Sequence, residues 1–206
     1  MNSIERLYAG KIGAIVISSN GEVSESLPCH PLVLAGSFNP LHQGHRRMLE
    51  AASLAVDGPT YYEISISNVD KPVLPEAELE RRVARVTSNG NSIIVTNAPR
   101  FAEKSSILPG ATFVIGFDTY IRLMDKRYYP DHVAGEHSPV ENSLDLIFEN
   151  RCGFVVAGRV DHQSQFRRLH DVEFEIPTRY RSMFIELTEA QFRSDLSSTE
   201  IRNQTQ

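Results

Sequence analysis

Residues 32–45 read LVLAGSFNPLHQGH. The first four residues form an uninterrupted apolar run, which is typical of a strand buried on both faces of a parallel sheet. Gly36 ends the run, a polar loop containing Pro40 follows, and apolar residues then recur at roughly helical spacing over His45–Val56. This order predicts a strand, a loop and a helix, the repeating unit of an α/β fold.

The same alternation continues along the chain. Further strands are predicted at Tyr61–Ser67, Ser92–Thr96, Thr112–Ile115 and Gly153–Ala157, with two more candidates at Val172–Ile176 and Met183–Leu187. Helices are predicted at Glu76–Thr87, Asp118–Asp125 and Val140–Asn150, and a capped helix start at Ser197–Asn203. These elements predict a Rossmann-like, three-layer α/β sandwich with a mainly parallel sheet, whose ligands bind at the carboxyl ends of the strands.

The length of 206 residues predicts one domain covering residues 1–206. Residues 1–30 are expected to be an N-terminal hairpin extension, because Asn20-Gly21 is a tight-turn signal between the β-compatible stretches Gly13–Ser18 and Glu22–Leu27. We expect Arg127–Pro139, which is rich in loop-forming residues, to be a mobile lid.

Composition excludes several functional classes. The net charge of −5 argues against a nonspecific nucleic-acid binder, since such binding depends on neutralising phosphates. No apolar run is long enough for a membrane span, and the first residues lack the pattern of a signal peptide, so we expect a cytoplasmic protein. Cys29 and Cys152 form no CxxC pair and are expected to be buried free thiols.

The loop after the first buried strand carries the strongest chemical signal. Gly36 lets a ligand approach the backbone, and the loop amides and helix start offer donors to an anion. His42 and His45 are three residues apart, so on one helical face both can point at a phosphate. Helix capping plus a surface histidine is the alternative interpretation, and the two histidines in register with the glycine make it the weaker one.

A second candidate phosphate site lies at residues 196–202, which read LSSTEIR. By itself this stretch is a good helix N-cap. The small hydroxyls of Ser198 and Thr199, together with Arg202 one turn later, also form a cradle for phosphate. Two cradles suit a triphosphate.

The GSFNPLHQGH stretch resembles the GSFxPxHxGH signature of the nucleotidyltransferase superfamily, and in particular the nicotinamide or nicotinate mononucleotide adenylyltransferases. The second stretch resembles the ISSTxIR motif of the same enzymes, with Leu196 in place of isoleucine. The resemblance runs from about Pro31 to Arg202. It implies transfer of an adenylyl group from ATP to the phosphate of a mononucleotide, with release of pyrophosphate, and so a place in NAD biosynthesis. The SSTEIR sequence resembles the adenylyl-transferring branch and implies ATP over CTP.

The resemblance also implies roles for individual residues. His42 and His45 would hold the phosphates, while Arg202 and Lys71 would meet charge growing on the leaving pyrophosphate. Mg²⁺ would bridge phosphate oxygens, and we assign it no protein ligand. No general base is needed, because the acceptor phosphate is already nucleophilic at neutral pH. The nucleotide-binding residues implied by the motifs are Gly36, Ser37, Phe38, Gly116, Asp118, Ser198 and Thr199. Asp118 is also a candidate helix cap.

The acceptor is less well defined by the sequence. The pyridine-nucleotide enzymes commonly stack the acceptor ring on tryptophan, and this chain has none. Phe101, Tyr128 and Tyr129 are the aromatic candidates for that role, and each is also a candidate core residue. The sequence leaves open the choice between amide and acid pyridine mononucleotides, and whether the protein forms a homo-oligomer.

Three other functions are compatible with parts of this sequence. A class I aminoacyl-tRNA synthetase shares the HxGH logic, but the chain is short and acidic and has no KMSKS-like loop. Adenylyl or cytidylyl transfer to another phosphorylated acceptor such as phosphopantetheine is the nearest rival. A nucleotide-binding module without turnover is the third, and the intact histidines and Arg202 argue against it. We expect neither a nucleic acid nor a membrane as a partner.

Overall fold

The computed structural model describes residues 1–69, 72–129, 138–160, 165–172 and 176–193. Within these ranges an eight-stranded sheet runs through the molecule in the order β10-β7-β6-β3-β4-β5-β1-β2. Its strands are β1 (Ala14–Ile17), β2 (Val23–Ser24), β3 (Leu32–Ala35), β4 (Thr60–Ser65), β5 (Ile93–Thr96), β6 (Thr112–Gly116), β7 (Gly153–Ala157) and β10 (Phe184–Leu187). A separate two-stranded ribbon consists of β8 (Arg159–Val160) and β9 (Phe166–Arg167).

The six strands from β10 to β5 are parallel to one another. The predicted hairpin is present as β1 and β2: β1 pairs antiparallel with β5, and β2 with β1, so the hairpin lies at one edge of the sheet. The mainly parallel α/β fold predicted from the sequence is therefore confirmed.

Helices cover both faces of the sheet. They are α1 (Ser3–Tyr8), α2 (Gln43–Ser53), α3 (Glu76–Thr87), α4 (Phe101–Ile107), α5 (Phe117–Met124) and α6 (Pro139–Glu149). Buried residues of α1, α2 and α3 share one core cluster with one face of the sheet, and those of α5 and α6 share a second with the other face. Alternation along the strands separates the two cores: Leu32 and Leu34 belong to the first and Val33 to the second. The result is the predicted three-layer sandwich.

Local sequence explains where several helices begin. The Ser138 side chain accepts a hydrogen bond from the Glu141 backbone, while the Glu141 carboxylate accepts one from the Ser138 backbone, and Pro139 follows at the first helical position. Acidic Glu76 and Glu78 occupy the first turn of α3, where their negative charges interact favourably with the helix dipole. The bounds of α3 match the prediction, since it is amphipathic.

Other predictions need correction. Helix α2 begins at Gln43 rather than His45, and α1 was not predicted at all. Cys29 is exposed, because it lies in the loop between β2 and β3, whereas Cys152 is buried as expected. The helix start at Ser197–Asn203 lies outside the described residues, as do most of the strand candidate at Val172–Ile176 and of the proposed lid. The described part of the lid segment contains a 3₁₀ turn over Lys126–Tyr128 and the capping residue of α6.

The strand order places the ligand edge of the sheet. From β3 the chain proceeds outward through β4 to β5, and it then returns to β6 on the other side of β3. The order therefore reverses between β3 and β6, and open α/β sheets bind ligands at the carboxyl ends of the strands at such a point. Gly36 and Gly116 lie there. Among the described residues, no helix is both long and apolar enough to span a bilayer.

Candidate functional site

A cavity of about 290 Å³ opens at the reversal point. The carboxyl ends of β3, β6 and β7 form its floor, and the start of α2 forms one wall. The residues that matter most for its chemistry are Gly36, His42, His45, Gly116, Asp118 and Arg159. Three chain segments that are distant in sequence thus meet around one space, which we call the histidine cavity.

Gly36 has a packing role as well as a place in the cavity wall. A Cβ atom added at Gly36 would lie 2.8 Å from Cε1 of Phe38, whose backbone has a positive φ of 45°. The Phe38 ring is buried and lies edge-on to the rings of His45 and Tyr62, with both centroid distances 5.1 Å. The Phe38 side chain is therefore a core residue that packs against His45, and its predicted part in nucleotide binding stays a prediction.

The two histidines lie together at the start of α2. His42 is the N-cap residue and His45 the third residue of the helix. Their rings stack with centroids 3.6 Å apart and an angle of 25° between the planes. The backbone N–H of His42 donates to Nδ1 of His45 over 3.3 Å, so the neutral His45 ring carries its proton on Nε2. The loop itself therefore orients His45 as a hydrogen-bond donor.

Both rings are neutral at physiological pH. Burial, together with a smaller effect of the neighbouring His42, lowers the pKa of His45 to about 3. Burial also lowers the pKa of His42. Neutral imidazoles and the backbone amides of a helix start are dipolar hydrogen-bond donors, and they can stabilise a bound anion without carrying a positive charge themselves.

Asp118 lines the histidine cavity as well. It was expected to cap α5, but the cap residue is Gly116, and no side chain supplies the cap hydrogen bond. Instead the Asp118 carboxylate accepts a hydrogen bond and ion pair from Arg159 of β8. The two side chains are partly exposed, so ligand hydroxyls and phosphates can reach both. Arg159 was missed from the sequence, because a lone arginine after a buried strand carries no distinctive signal.

A second cavity of about 680 Å³ adjoins the first. Ala35, Gly36 and Thr119 line both of them. Further lining residues of the second cavity are Ser37, Glu63, Arg82, Phe101, Lys104 and Arg122. We call it the Phe101 cavity. Phe101, a predicted acceptor-binding residue, thus lines the same cavity as the start of the loop over residues 36–42, which we call the glycine loop. The Phe101 ring lies edge-on to the core rings of Phe113 and Phe154.

Helix α3 holds the glycine loop in place. Nη1 of Arg82 donates to the carbonyl of Ser37 over 3.0 Å, and Nη2 of Arg81 donates to Oδ1 of Asn39 over 3.1 Å. Glu78 accepts from both guanidinium groups, at 2.6 and 2.7 Å, and so orients them. These contacts between a helix and a loop some 40 residues away could not be read from the sequence.

The other aromatic candidates point elsewhere. The Arg122 guanidinium lies 5.8 Å from the centre of the Tyr128 ring, and the Tyr129 hydroxyl donates to the Leu123 carbonyl over 2.6 Å. Neither tyrosine lines either cavity as the described residues define them. Their role in acceptor binding stays a prediction, because the neighbouring residues 130–137 lie outside the described ranges.

Four further site residues cannot be placed. Lys71, Ser198, Thr199 and Arg202 lie outside the described residues, and their roles remain predictions from the sequence. Within the described ranges, no group of three or more His, Cys, Asp or Glu side chains is arranged to hold a metal ion.

Gly36, which directly follows β3, and the paired histidines belong to the sequence motif that resembles the nucleotidyltransferase superfamily, and the structure brings them to the edge of the sheet where the strand order reverses. Comparison with known families agrees: a family model described as cytidylyltransferase-like matches residues 33–204. The chain belongs to the cytidylyltransferase-like family.

A curated relative comes from Schizosaccharomyces pombe and carries the name "Putative nicotinamide mononucleotide adenylyltransferase". It is 31% identical to this chain over 111 residues, which are 48% of this chain and 44% of the relative. The match thus spans less than half the length of that protein.

Proposed function

We propose that this protein transfers the adenylyl group of Mg-ATP to the phosphate of a mononucleotide and releases pyrophosphate. The observation that carries the proposal is the pair of adjoining cavities, which share Gly36 in their common wall. One has phosphate donors on an oriented helix start, and the other has an aromatic ring and cationic side chains. Two nucleotides bound on either side of Gly36 would bring their phosphates together at the glycine loop.

The reaction forms one P–O bond and breaks another. An oxygen of the acceptor phosphate attacks the α-phosphorus of ATP, and the bond from that phosphorus to the bridging oxygen of the β-phosphate breaks. The leaving pyrophosphate takes the electron pair. Because the acceptor phosphate is already anionic, the step needs placement and charge stabilisation rather than a base.

The described residues can supply that stabilisation. His45 donates from Nε2–H, and the backbone amides at the start of α2 lie beside it. Asp118 can accept hydrogen bonds from ribose hydroxyls, while Arg159 keeps its carboxylate oriented. The sequence-predicted partners Lys71 and Arg202 would complete the positive environment of the pyrophosphate.

We propose a pyridine mononucleotide as the acceptor. Three findings support this choice: the motif resemblance, the name of the fungal relative and the position of Phe101 in the second cavity. A flat ring can stack on the Phe101 face while the acceptor phosphate reaches towards Gly36.

Product analysis tests the proposal directly. The purified protein is given Mg-ATP or Mg-CTP with nicotinamide mononucleotide, nicotinate mononucleotide or phosphopantetheine, and pyrophosphate release and product mass are measured. We expect dinucleotide from ATP and a pyridine mononucleotide. Turnover only with phosphopantetheine would reject the pyridine mononucleotide as acceptor, and turnover only with CTP would reject ATP as donor. No turnover with any pair would favour a nucleotide-binding module without catalytic activity.

A variant then ties the activity to the histidine cavity. His45→Ala should lower kcat by about 100-fold or more with a smaller effect on ATP binding, because its hydrogen bond strengthens as charge develops. His30→Asn is the matched control, since His30 lies outside both cavities and asparagine tolerates its positive φ of 47°. Wild-type turnover in His45→Ala would remove that residue from the mechanism.

A further inference from the structure

A buried ion pair lies in the wall of the Phe101 cavity. Nζ of Lys104 is 2.5 Å from Oε1 of Glu63, and the hydroxyl of Thr96 donates to the same oxygen over 2.6 Å. The side chains of Lys104 and Glu63 are only 6% and 1% exposed. Both residues nevertheless line the cavity.

The fold explains how the pair forms. Along β4 the side chains alternate, so Tyr62 and Ile64 join the core beneath α1, α2 and α3, and Glu63 faces the opposite side of the sheet. Helix α4 supplies Lys104 on that side, one turn after Phe101. The Glu63 carboxylate is therefore placed beside Lys104, on the helix that also carries Phe101, the candidate ring-binding residue.

Stability alone does not account for these charges. Well-packed apolar side chains of similar volume are often as stabilising as a buried ion pair, because removing two charges from water is costly. A pair that borders a ligand cavity has a second use, since its remaining hydrogen-bonding capacity can be offered to a ligand.

The remaining hydrogen-bonding capacity of the pair consists of one acceptor atom and one donor atom. Among the described residues, Oε1 of Glu63 accepts both hydrogen bonds and Oε2 accepts none, and Lys104 donates to Glu63 alone. An acceptor oxygen and a donor nitrogen with unused protons therefore lie side by side, with Nζ 6.0 Å from the centre of the Phe101 ring.

We propose that Glu63 and Lys104 recognise the carboxamide of a pyridine ring stacked on Phe101 and so select nicotinamide mononucleotide over the acid. The amide N–H would donate to Glu63, and the amide oxygen would accept from Lys104. A ring carboxylate has no proton to donate and would meet the charge of Glu63, which like-charge repulsion disfavours. This inference rests on the proposed function and refines its acceptor.

The test is the ratio of kcat/KM for nicotinamide mononucleotide to that for nicotinate mononucleotide, measured with saturating Mg-ATP. The wild-type ratio is expected to be at least about 10, and Glu63→Gln should lower it at least about tenfold, because the repulsion is removed. Lys104→Met should reduce kcat/KM for both acceptors. Lys126→Met, at an exposed lysine outside both cavities, should leave both values at the wild-type level.

A purely structural ion pair gives a different result. It would lower the melting temperature and the rates with both acceptors in parallel, so an unchanged ratio in a folded Glu63→Gln overturns the inference. If that variant does not fold, the double variant Glu63→Gln/Lys104→Met, which leaves neither charge unpaired, provides the same comparison. A wild-type preference for the acid also overturns it, with the proposed function intact, whereas turnover of neither mononucleotide overturns both.

Discussion

The burial of His45 makes the protein lose stability in mild acid. Its pKa is about 3 in the folded chain and 6.5 in the absence of burial. Below pH 6.5 the unfolded chain binds a proton on this residue that the folded chain does not bind, so protonation favours unfolding. The stabilising contribution is therefore fully present above pH 6.5 and is lost as the pH falls towards 3.

The size of the effect follows from the two pKa values. Between pH 7 and pH 5, a histidine with these values removes about 2 kcal/mol from the free energy of unfolding, since each pH unit below the unfolded pKa costs about 1.4 kcal/mol. The His42 pKa is also lowered, so His42 contributes in the same direction.

Urea unfolding at pH 7 and pH 5 measures this loss. His45→Gln should lose about 2 kcal/mol less than wild type over that interval, because glutamine does not titrate. Met48→Leu is the matched control: Met48 lies on the same helix and lines the same cavity, but the change removes no titrating group. If His45→Gln and wild type lose equal stability between the two pH values, the reasoning about the buried ring is refuted.

Three other substitutions test the supports of the site. Gly36→Ala should lower stability by about 1–3 kcal/mol and reduce turnover, because the new methyl displaces the Phe38 ring; calorimetry and pyrophosphate release showing no change would contradict this contact. Arg82→Met should raise the KM values for ATP and for the acceptor about tenfold, because the loop after Gly36 loses its hydrogen bond to α3 and Arg82 also lines the Phe101 cavity, whereas Arg85→Met, at an exposed position on the same helix, should change neither; equal values in both variants would contradict this role of Arg82. Phe101→Ala should raise the KM for the pyridine mononucleotide about tenfold and leave that for ATP nearly unchanged, and parallel rises in both would reject separate binding positions.

Much of the fold follows from local sequence patterns. The apolar runs predicted β3, β5, β6 and β7 to within a residue or two, because strands buried on both faces leave an uninterrupted apolar signature. Helix α3 was predicted with its observed bounds, since it is amphipathic and begins with acidic residues. Helix α1 was missed, because six residues are too few for a clear periodicity.

The candidate site likewise contains residues whose proximity follows from local spacing and residues whose contacts depend on long-range packing. Gly36, His42 and His45 lie close together in the chain between a strand and a helix, so their meeting was predictable from spacing. What the spacing did not predict is long-range packing: the Phe38 side chain is buried in the core, and Asp118 bonds to Arg159 instead of capping its helix. A local sequence pattern does not show which distant side chain will form an ion pair with a carboxylate such as that of Asp118.

The sequence by itself determined the class of fold, the order of its elements and the loop that carries the histidines, because these depend on contacts between residues a few positions apart. Only the tertiary structure decided which side chains meet at the sheet edge. Gly36 and Gly116 come together because the strand order reverses between β3 and β6, and Glu63 meets Lys104 because one strand face and one helix face are packed together. Such contacts join residues some 40 to 80 positions apart, and their physical cause is the packing of the whole sheet, which no local segment encodes.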